Sequence, residues 1–580
     1  MCLRCQRSAS TIQSQIPDNE RNDLKVPKIF FPSRISELWF EEDDQSVNLF
    51  SDKRLRLTKY KLNEIGSFIW RLCDGEHSND EIARSVFESL EGEKPALDEV
   101  QADVDEYLAS LRDSDLVNWD GEEKLDILLV VPPYPTLYSS KAIRTPEYSA
   151  PPLGLAYIGA VLSDACFNVA IYDMHITAAS VEDVVSQCRK ARPTIVGITA
   201  TTPTYPNAVR VARLLKAYDP KVTTVLGGVH ATSLPEECVN TGAFNFVVIG
   251  EGEQPMLSLS ELILRNKGML SEVPGLAYRD ESNIVRFNQP VAKAKNLDYL
   301  PYPARDMLNL DLYFQKGSII STRGCPYDCT YCACPVITGR QYRTHSVDYV
   351  LDEVAFVQDK YGIHYFDFHD DTFNLIKRRV FEFSEKIIAR KMNFKWGCFC
   401  RATGFDYEIA KAMKASGCEV VQFGVESGSQ EVLDSVRKKA TLQEIEDAVV
   451  AAKRAGISQI ACGFIIGHSS DTEESANETI DFGVKLAGLG ATRLAISILT
   501  PYPGTEEFIE MKRTGIRLIT DDWEQFIFSR VVLETKNLTK DKLRELYAKG
   551  VYKFLEATEK SDKGNISVLA ALDSRSNPTL

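Results

Sequence analysis

The chain has 580 residues, 44% hydrophobic and 26% charged, which suits a folded protein of about three or four domains with sizeable cores. Its formal net charge of -15 argues against nucleic acid as the main partner, because phosphate binding favours clustered Lys and Arg. No apolar run could span a bilayer and the amino terminus lacks the apolar core of a secretion signal. We therefore expect a cytoplasmic protein without a membrane partner and with reduced thiols.

Residues 1–25 are polar and lack periodicity, so we expect a flexible tail. Cys2 and Cys5 form a single CxxC pair there. A structural metal site needs a second pair nearby, and none follows, so these two cysteines do not predict one.

Residues 30–120 have the pattern of a small α+β domain. Ser36–Glu41 and Gln45–Phe50 alternate like paired strands, and Leu116–Trp119 returns to strand at the end. Three helical patterns lie between them: a stripe from Leu62 to Cys73, a helix started by the capping box Ser78-Asn-Asp-Glu81, and Leu97 to Leu111.

This order of elements, with Leu62-Asn-Glu-Ile-Gly66 and Ile69-Trp-Arg-Leu-Cys-Asp-Gly75, resembles a PqqD-like winged-helix domain, the RiPP recognition element. The resemblance implies that the leader of a precursor peptide docks as an added strand on the sheet edge. A winged-helix module with another binding or scaffold role stays open as the alternative.

Residues 125–266 predict a Rossmann-like, doubly wound α/β domain, because near-continuous apolar strands alternate with helical patterns. The strands are Leu125–Val131, Asn168–Tyr172, Thr194–Thr199, Val222–Leu226 and Asn245–Ile249. Ligands of such sheets bind beyond the carboxyl ends of the strands, where small and hydroxyl residues here leave room for a large flat ligand. No GxGxxG follows the first strand, so a dinucleotide site is not predicted.

The loops Gly227-Gly-Val-His230 and Gly250-Glu-Gly-Glu253 resemble those of the cobalamin-binding domain fused to many radical SAM enzymes. That resemblance implies cobalamin contacts from the loop residues Pro133, Tyr134, Thr201, Thr202, Gly227, Gly228, His230, Gly250, Glu251 and Gly252. Asp173-Met-His175 imitates a cobalt-ligating motif but lacks its glycine and follows the second strand. We expect His175 to be a surface or core histidine, and His230 to line the corrin site without binding cobalt.

Residues 267–317 carry four prolines between polar stretches and are expected to form a linker. Residues 318–515 then contain six strand-like runs separated by helical stripes, which predicts a partial (βα)6 barrel instead of the full eight units. The runs are Ile319–Thr322, His364–His369, Phe394–Cys400, Val420–Val425, Gln459–Ile466 and Leu494–Leu499.

Cys325, Cys329 and Cys332 follow the first strand of this barrel at spacings of three and two intervening residues. Three thiols leave one coordination position open, whereas a structural zinc site wants four ligands. With Tyr331 as the aromatic residue, the pattern resembles the radical SAM motif. The resemblance implies that these thiolates hold a [4Fe–4S] cluster whose open iron chelates S-adenosylmethionine (SAM). Three ordinary thiols in a loop are the alternative.

The same resemblance implies SAM contacts from Tyr331, Asp370, Asp371, Arg401, Glu426 and Ser427, all near the carboxyl ends of barrel strands. Asp370-Asp371 could instead cap a helix, and Arg401 could be structural. The chain departs from the family pattern at His468-Ser-Ser-Asp-Thr472, so the adenine-side loop is expected to differ.

Residues 516–580 predict a small helical region with a helix around Trp523 and a charged helix over Lys540–Leu555. No cysteine follows Cys462, so an auxiliary-cluster domain is not expected. The remaining core cysteines, Cys334, Cys398, Cys400, Cys418 and Cys462, are expected to be buried free thiols.

Together the resemblances imply a cobalamin-dependent radical SAM enzyme that C-methylates an unactivated carbon of a ribosomally made precursor peptide. The 5′-deoxyadenosyl radical and methylcobalamin would carry that reaction, with a flavodoxin or ferredoxin as electron donor. Radical rearrangement, cyclisation or epimerisation stays open, as does a non-catalytic cobalamin or peptide sensor. Methylthiolation is disfavoured because that class needs another amino-terminal three-cysteine cluster. The sequence assigns no general acid or base.

Overall fold

The computed structural model describes residues 32–34, 39–42, 47–53, 56–62, 64–73, 77–90, 94–113, 117–119, 125–134 and 150–559. The predicted tail, with Cys2 and Cys5, lies outside these residues. The chain divides into two compact units. One contains residues up to Lys124 and Ser186–Arg192, and the other contains Leu125–Val185 and Pro193–Leu580.

Residues before Lys124 form antiparallel strands and three helices around one apolar core. The strands are β1 (Pro32–Arg34), β2 (Trp39–Glu42), β3 (Val47–Lys53), β4 (Arg56–Leu62) and β5 (Val117–Trp119), and the helices are α1 (Glu64–Leu72), α2 (Asn79–Ser89) and α3 (Leu97–Asp113). The predicted capping box is present, since Ser78 and Glu81 bond each other's backbone amides. Leu62, predicted to be helical, instead ends β4, where it pairs with Val47.

The second unit contains a seven-stranded sheet in the order β12-β11-β10-β9-β8-β6-β7. Its strands are β6 (Ile127–Val131), β7 (Val169–Asp173), β8 (Ile195–Thr199), β9 (Thr223–Gly227), β10 (Phe246–Val248), β11 (Leu276–Arg279) and β12 (Val285–Phe287). The five predicted strands are parallel, and their order places the topological switch point between β6 and β8. The expected linker over 267–317 also contributes β11 and β12, an antiparallel hairpin at the sheet edge.

Helices connect the strands of this sheet. They are α4 (Leu153–Asp164), α5 (Asp183–Ala191), α6 (Tyr205–Tyr218), α7 (Val229–Ser233), α8 (Pro235–Asn240) and α9 (Glu253–Arg265). Most of α5, from Ser186 on, belongs to the first unit. The apolar side of α4 and α9 packs on the central strands, which fixes the loops at the strands' carboxyl ends.

A second sheet in the same unit has six parallel strands in sequential order, as expected for a partial barrel. They are β13 (Ser318–Ile319), β16 (Tyr365–Phe368), β17 (Lys395–Cys400), β18 (Cys418–Glu426), β19 (Gln459–Ile466) and β20 (Arg493–Ile498). The predicted first strand is interrupted: after β13 the chain forms β14 (Thr322–Arg323), which pairs with β15 (Arg343–Thr344) in a separate ribbon.

The helices of this region surround the barrel. They are α10 (Cys334–Ile337), α11 (Val347–Tyr361), α12 (Lys377–Ala389), α13 (Tyr407–Ala415), α14 (Gln430–Ser435), α15 (Leu442–Arg454) and α16 (Glu473–Leu489). Phe368, Phe383 and Trp396 pack edge to face between sheet and helices, with ring centroids 5.3 to 5.7 Å apart. Because strand residues alternate in direction, Tyr365 and Asp367 face the opposite, inner side of the barrel.

The carboxyl-terminal region adds short elements and one long helix. They are α17 (Glu506–Ile509), α18 (Met511–Thr514), β21 (Arg517–Leu518), a 3-10 turn at Trp523–Gln525, β22 (Leu533–Glu534) and α19 (Lys540–Glu559). None of the helices within the described ranges is long and apolar enough to cross a membrane.

Candidate active site

The loop with the three cysteines begins at a glycine that the backbone requires. Gly324 has a φ of +91°, and a Cβ there would lie 2.3 Å from the carbonyl oxygen of Gln341. Its amide donates to Asp371 Oδ2 at 3.2 Å, which ties the start of the loop to the end of β16. The loop therefore leaves the sheet in one conformation, with Cys325, Cys329 and Cys332 all half-buried.

The three thiols face different neighbours. Cys325 Sγ lies 3.7 Å from Thr372 Oγ1, and Cys329 Sγ lies 3.7 Å from the carbonyl oxygen of Arg437. Arg401 Nη1 is 3.9 Å from Cys329 Sγ, where its charge favours a thiolate. Within the described part of the chain, no group of three His, Cys, Asp or Glu side chains could hold a single metal ion.

A fourth cysteine lies beside this set. Cys334 was expected to be buried, but it is half-buried at the start of α10. A hydrogen bond with the Cys334 thiol lowers the pKa of Cys332. Cys329 and Cys332 also line a cavity of about 160 Å³ together with Val336, Gly504 and Glu506. The cavity provides space for a ligand directly beside two of the three thiols.

Of the two aspartates after β16, Asp370 is fully buried and Asp371 is exposed. Asp370 accepts hydrogen bonds from the amides of Ser321 and Thr322, at 2.7 and 2.9 Å, and from Ser321 Oγ at 2.5 Å. Burial raises the pKa of Asp370. Through these bonds Asp370 holds the strand before the cysteine loop, whereas the exposed carboxylate of Asp371 can contact a ligand.

Arg401, Glu426 and Tyr331 come together around Lys438. Lys438 Nζ donates to Glu426 Oε1 at 2.7 Å and lies 3.4 Å from Tyr331 Oη. The Arg401 guanidinium donates to the carbonyl oxygen of Lys438 and stacks 3.6 Å from the Tyr327 ring centroid, while its buried Nε has no hydrogen-bond partner among the described residues. A cation, a carboxylate and an unused donor therefore meet beside the cysteine loop.

Ser427 and His468 are buried at the same strand ends. Ser427 Oγ lies 2.9 Å from Thr479 Oγ1, so its hydroxyl bonds α16 and not the open site. The His468 ring is fully buried with its centroid 5.4 Å from that of Tyr331, and neither ring nitrogen has a hydrogen-bond partner in the part of the chain that the structure describes. The loop that departs from the family pattern thus packs directly on the cysteine loop.

The predicted cobalamin contacts lie at the carboxyl ends of β6, β8, β9 and β10. Asn207 Nδ2 donates to the carbonyl oxygen of Pro133 at 2.9 Å, and Tyr134 bonds the Thr201 hydroxyl. A Cβ on Gly227 would meet nothing within 4 Å, whereas Gly228 has a φ of +96° and no space for a side chain. An open glycine at the carboxyl end of β9, next to β8, leaves room for a large flat ligand such as a corrin.

His230 is fully buried between two aromatic rings. Its ring centroid lies 4.0 Å from that of Tyr205 and 5.3 Å from that of Trp523. Nδ1 lies 3.3 Å from Thr202 Oγ1, and Nε2 has no hydrogen-bond partner within the described ranges. Burial lowers the pKa of His230 to about 4. His230 is therefore neutral and held by packing. His175, in contrast, is exposed and packs 4.7 Å from Tyr134.

Glu251 and Glu253 contact the ribbon that flanks the cysteine loop. Arg343 donates to both carboxylate oxygens of Glu251, and Arg323 Nη2 donates to Glu253 Oε1 at 2.7 Å. The sequence did not predict a role for Arg323, Arg343, Lys438 or Trp523. Arg323 directly precedes Gly324-Cys325, but its partner lies 70 residues away, so no local pattern indicates the pair.

Three family models match the chain: the coenzyme PQQ synthesis protein D (PqqD) over residues 53–117, the B12 binding domain over 140–260 and the radical SAM superfamily over 319–483. An uncharacterised methyltransferase of Pyrococcus horikoshii is 34% identical over 438 residues, 74% of this chain and 92% of that protein. The hopanoid C-3 methylase of Methylococcus capsulatus is 26% identical over 70% of this chain and 76% of its own.

Two solved structures share the fold. The radical SAM methyltransferase TsrM of Kitasatospora setae, with cobalamin and a [4Fe–4S] cluster bound, superposes with a TM-score of 0.61 at 19% identity, over 77% of this chain and 92% of that one. The cobalamin-dependent radical enzyme OxsB, with aqua-cobalamin and SAM bound, gives 0.55 at 16% identity, over 94% and 72%. With the family models, these findings confirm the predicted α/β fold class and the predicted cofactor set of [4Fe–4S] cluster, SAM and cobalamin. The chain therefore belongs to the cobalamin-dependent radical SAM methyltransferases, with a PqqD-like segment before its B12-binding domain.

Proposed function

We propose that this enzyme C-methylates an unactivated carbon of a ribosomally synthesised precursor peptide. Bound SAM and its cluster supply a 5′-deoxyadenosyl radical, and bound cobalamin supplies the methyl group. The PqqD-like segment supports a peptide substrate, because an exposed sheet edge can take a leader peptide as an added strand. A flavodoxin or ferredoxin would supply electrons.

The observation that carries this proposal is the meeting of the predicted cobalamin loops and the cysteine loop. A Cβ on Gly504 would lie 2.8 Å from Val336 of α10 and 2.9 Å from Ser233 Oγ of α7. Lys293 Nζ donates to the carbonyl oxygen of Ile337, which lies 4.0 Å from the Cβ position of Gly250. A methyl donor and a radical must act on the same carbon, and this proximity suits that requirement.

Several of the predicted site residues then have a task that their surroundings support, whereas Asp370, Ser427 and His230 are held in structural contacts. Cys325, Cys329 and Cys332 would bind the cluster, with Arg401 offsetting the thiolate charge. Asp371 and Glu426 would orient the SAM amino and ribose groups. Gly227, Gly228 and Gly250 would let the backbone approach the corrin, while Pro133, Tyr134, Thr201, Thr202, Glu251 and Gly252 shape the surrounding loops.

The inner face of the barrel supplies a surface for the substrate. Tyr365 and Phe399 are 40% and 41% exposed there, although both are large and apolar. Asp367 lies opposite Gly397 in the register, half-buried, and has no ion-pair or hydrogen-bond partner for its carboxylate among the described residues. An unpaired carboxylate beside exposed aromatic rings suits an N–H group or cation of the substrate.

The second candidate is radical cyclisation without methyl transfer. The anaerobic magnesium-protoporphyrin IX monomethyl ester cyclase of Rubrivivax gelatinosus is 27% identical over 68% of this chain and 71% of its own. Methylation is favoured because a relative of higher identity and coverage is named a methyltransferase.

The test is anaerobic reconstitution with iron, sulfide, hydroxocobalamin and SAM carrying a deuterated methyl group, followed by mass spectrometry of candidate precursor peptides. Gain of a labelled methyl on one peptide residue, together with 5′-deoxyadenosine, is the expected result. Formation of 5′-deoxyadenosine and a rearranged, unlabelled product would favour cyclisation instead. The variant with Cys325, Cys329 and Cys332 all replaced by Ala is the control, and a non-catalytic sensor would still bind cobalamin and peptide in that form.

A further inference from the structure

We propose that Glu251 and Glu253 of the B12-binding domain act as positioning residues that hold the cysteine loop closed, so that this loop takes its shape only against that domain. The reason for holding this loop in shape, which is to bind the cluster, rests on the proposed function. The evidence is the contact between the loop after β10 and the two-stranded ribbon of β14 and β15 at the base of the cysteine loop.

The ribbon closes the cysteine loop with very few bonds. Thr322 pairs with Thr344 and Arg323 pairs with Arg343 in antiparallel register, and the chain between Arg323 and Arg343 contains all three cluster cysteines. Two arginines directly opposite each other repel, and a two-residue pairing contributes little to offset that cost. The ribbon therefore depends on compensating charges from elsewhere.

Those charges come from one short segment of the B12-binding domain. Besides its bonds to Arg343, Glu251 lies 3.4 Å from Arg323 Nη1, and Glu253 Oε1 lies 2.7 Å from Arg323 Nη2. The side chains of the four residues are between 0 and 11% exposed. Both arginines hold the pKa of Glu251 below its ordinary value, against the effect of burial. The cluster of two cations and two anions is neutral overall.

The backbones on both sides are fixed where the charges meet. A Cβ on Gly252, between the two glutamates, would lie 2.7 Å from Ile158 Cδ1, so that residue sits tightly against α4. Arg323 also lies 5.1 Å from the Tyr157 ring of the same helix. The backbone that carries the two carboxylates is thus packed tightly against α4 of the B12-binding domain.

Loss of one partner from such a group leaves a buried charge uncompensated, which is strongly destabilising, whereas loss of a whole pair can be neutral. Neutralising both glutamates should therefore open the ribbon and loosen the cysteine loop. Neutralising an arginine together with its glutamate should leave the ribbon closed. This asymmetry separates a positioning role from direct contact of the glutamates with cobalamin.

The experiment uses the full chain reconstituted anaerobically with iron, sulfide, hydroxocobalamin and SAM. The variants are Glu251→Gln with Glu253→Gln, and Glu251→Gln with Arg343→Met. Arg513→Gln, which removes an exposed pair with Glu510, is the matched control. The readouts are the rate of iron release to EDTA and the dipolar interaction between cob(II)alamin and the reduced cluster in electron paramagnetic resonance (EPR). Neither readout requires a peptide or turnover.

We expect the double glutamine variant to release iron at least tenfold faster and to lose the defined dipolar interaction. The Glu251→Gln/Arg343→Met variant should release iron within about twofold of the unmodified enzyme. Iron release and dipolar interaction unchanged in the double glutamine variant would overturn the proposal, as would weakened cobalamin binding in the charge-balanced variant with normal iron retention. If the double variant does not fold, Glu253→Gln alone and Glu251→Asp give the same comparison in milder form. Absence of peptide methylation would contradict the proposed function and leave these outcomes intact.

Discussion

Lys438 Nζ and Glu426 Oε1 form a 2.7 Å ion pair at the carboxyl end of β18, with only 7 and 12% of the two side chains exposed. Glu426 has a φ of +71°, a conformation that costs a non-glycine residue about 1–3 kcal/mol. Such strain persists where the surrounding structure and a function require it. The pair therefore indicates a carboxylate held in place for a ligand.

We predict that Glu426→Gln weakens SAM binding about tenfold or more, since the amide removes the charge but keeps the shape. Equilibrium dialysis of SAM against the reconstituted enzyme measures this. Glu446→Gln, which removes an ion pair with the exposed Lys485, is the matched control and should bind SAM normally. An unchanged affinity for SAM in Glu426→Gln would mean that Glu426 pairs with Lys438 and does not contact SAM.

Single replacement of Cys325, Cys329 or Cys332 by Ala should remove most of the iron and the visible absorbance of the reconstituted protein. A cluster held by three thiolates cannot lose one without losing stability. Cys334→Ala should keep both properties, because Cys334 bonds Cys332 but lies outside the ligand pattern. Iron and sulfide analysis decides the outcome, and equal iron loss in Cys334→Ala would contradict the assigned ligand set.

Asp367→Asn should stabilise the protein at neutral pH. Burial raises the pKa of Asp367 from 3.8 to about 6, so between these values the native state binds more protons than the unfolded state. The free energy of unfolding therefore falls as pH rises through this window, by up to ~3 kcal/mol above pH 6. Replacement of Asp367 by Asn removes this loss of stability. The stabilisation should therefore be about half as large near pH 5 as at neutral pH.

Differential scanning calorimetry of the lowest unfolding transition at pH 7.5 and pH 5 measures the effect of Asp367→Asn. The control is Asp348→Asn, whose carboxylate pairs with Lys386 and has a lowered pKa. That variant should be slightly less stable at neutral pH. If Asp367 also binds the substrate, Asp367→Asn will lose turnover while gaining stability. A stability gain that does not depend on pH would refute the electrostatic explanation.

The EPR spectrum of bound cob(II)alamin should lack nitrogen splitting from a histidine. His230 packs between Tyr205 and Trp523, and His175 is exposed beside Tyr134. Replacing either by Gln should leave the spectrum unchanged. Nitrogen splitting that disappears in His230→Gln alone would identify His230 as a cobalt ligand.

The sequence predicted those features that local patterns encode. Continuous apolar runs indicated both parallel sheets, and the spacing of Cys325, Cys329 and Cys332 indicated the cluster loop. No pattern in the sequence predicted a role for Asp367, which lies opposite Gly397 in the register of β16 and β17. The Arg323–Glu253 pair joins residues 70 positions apart in separate domains, and no periodicity in either segment relates them.

The division of these four charged residues between two domains also bears on how such domains can be exchanged between enzymes. Arg323 and Arg343 belong to the radical domain, while the carboxylates that neutralise them belong to the B12-binding domain. A B12-binding domain transplanted from another protein would need acidic residues at the positions of Glu251 and Glu253. Under the proposed positioning role, we expect a domain exchange between relatives to keep the cysteine loop ordered only with donors that carry this acidic pair.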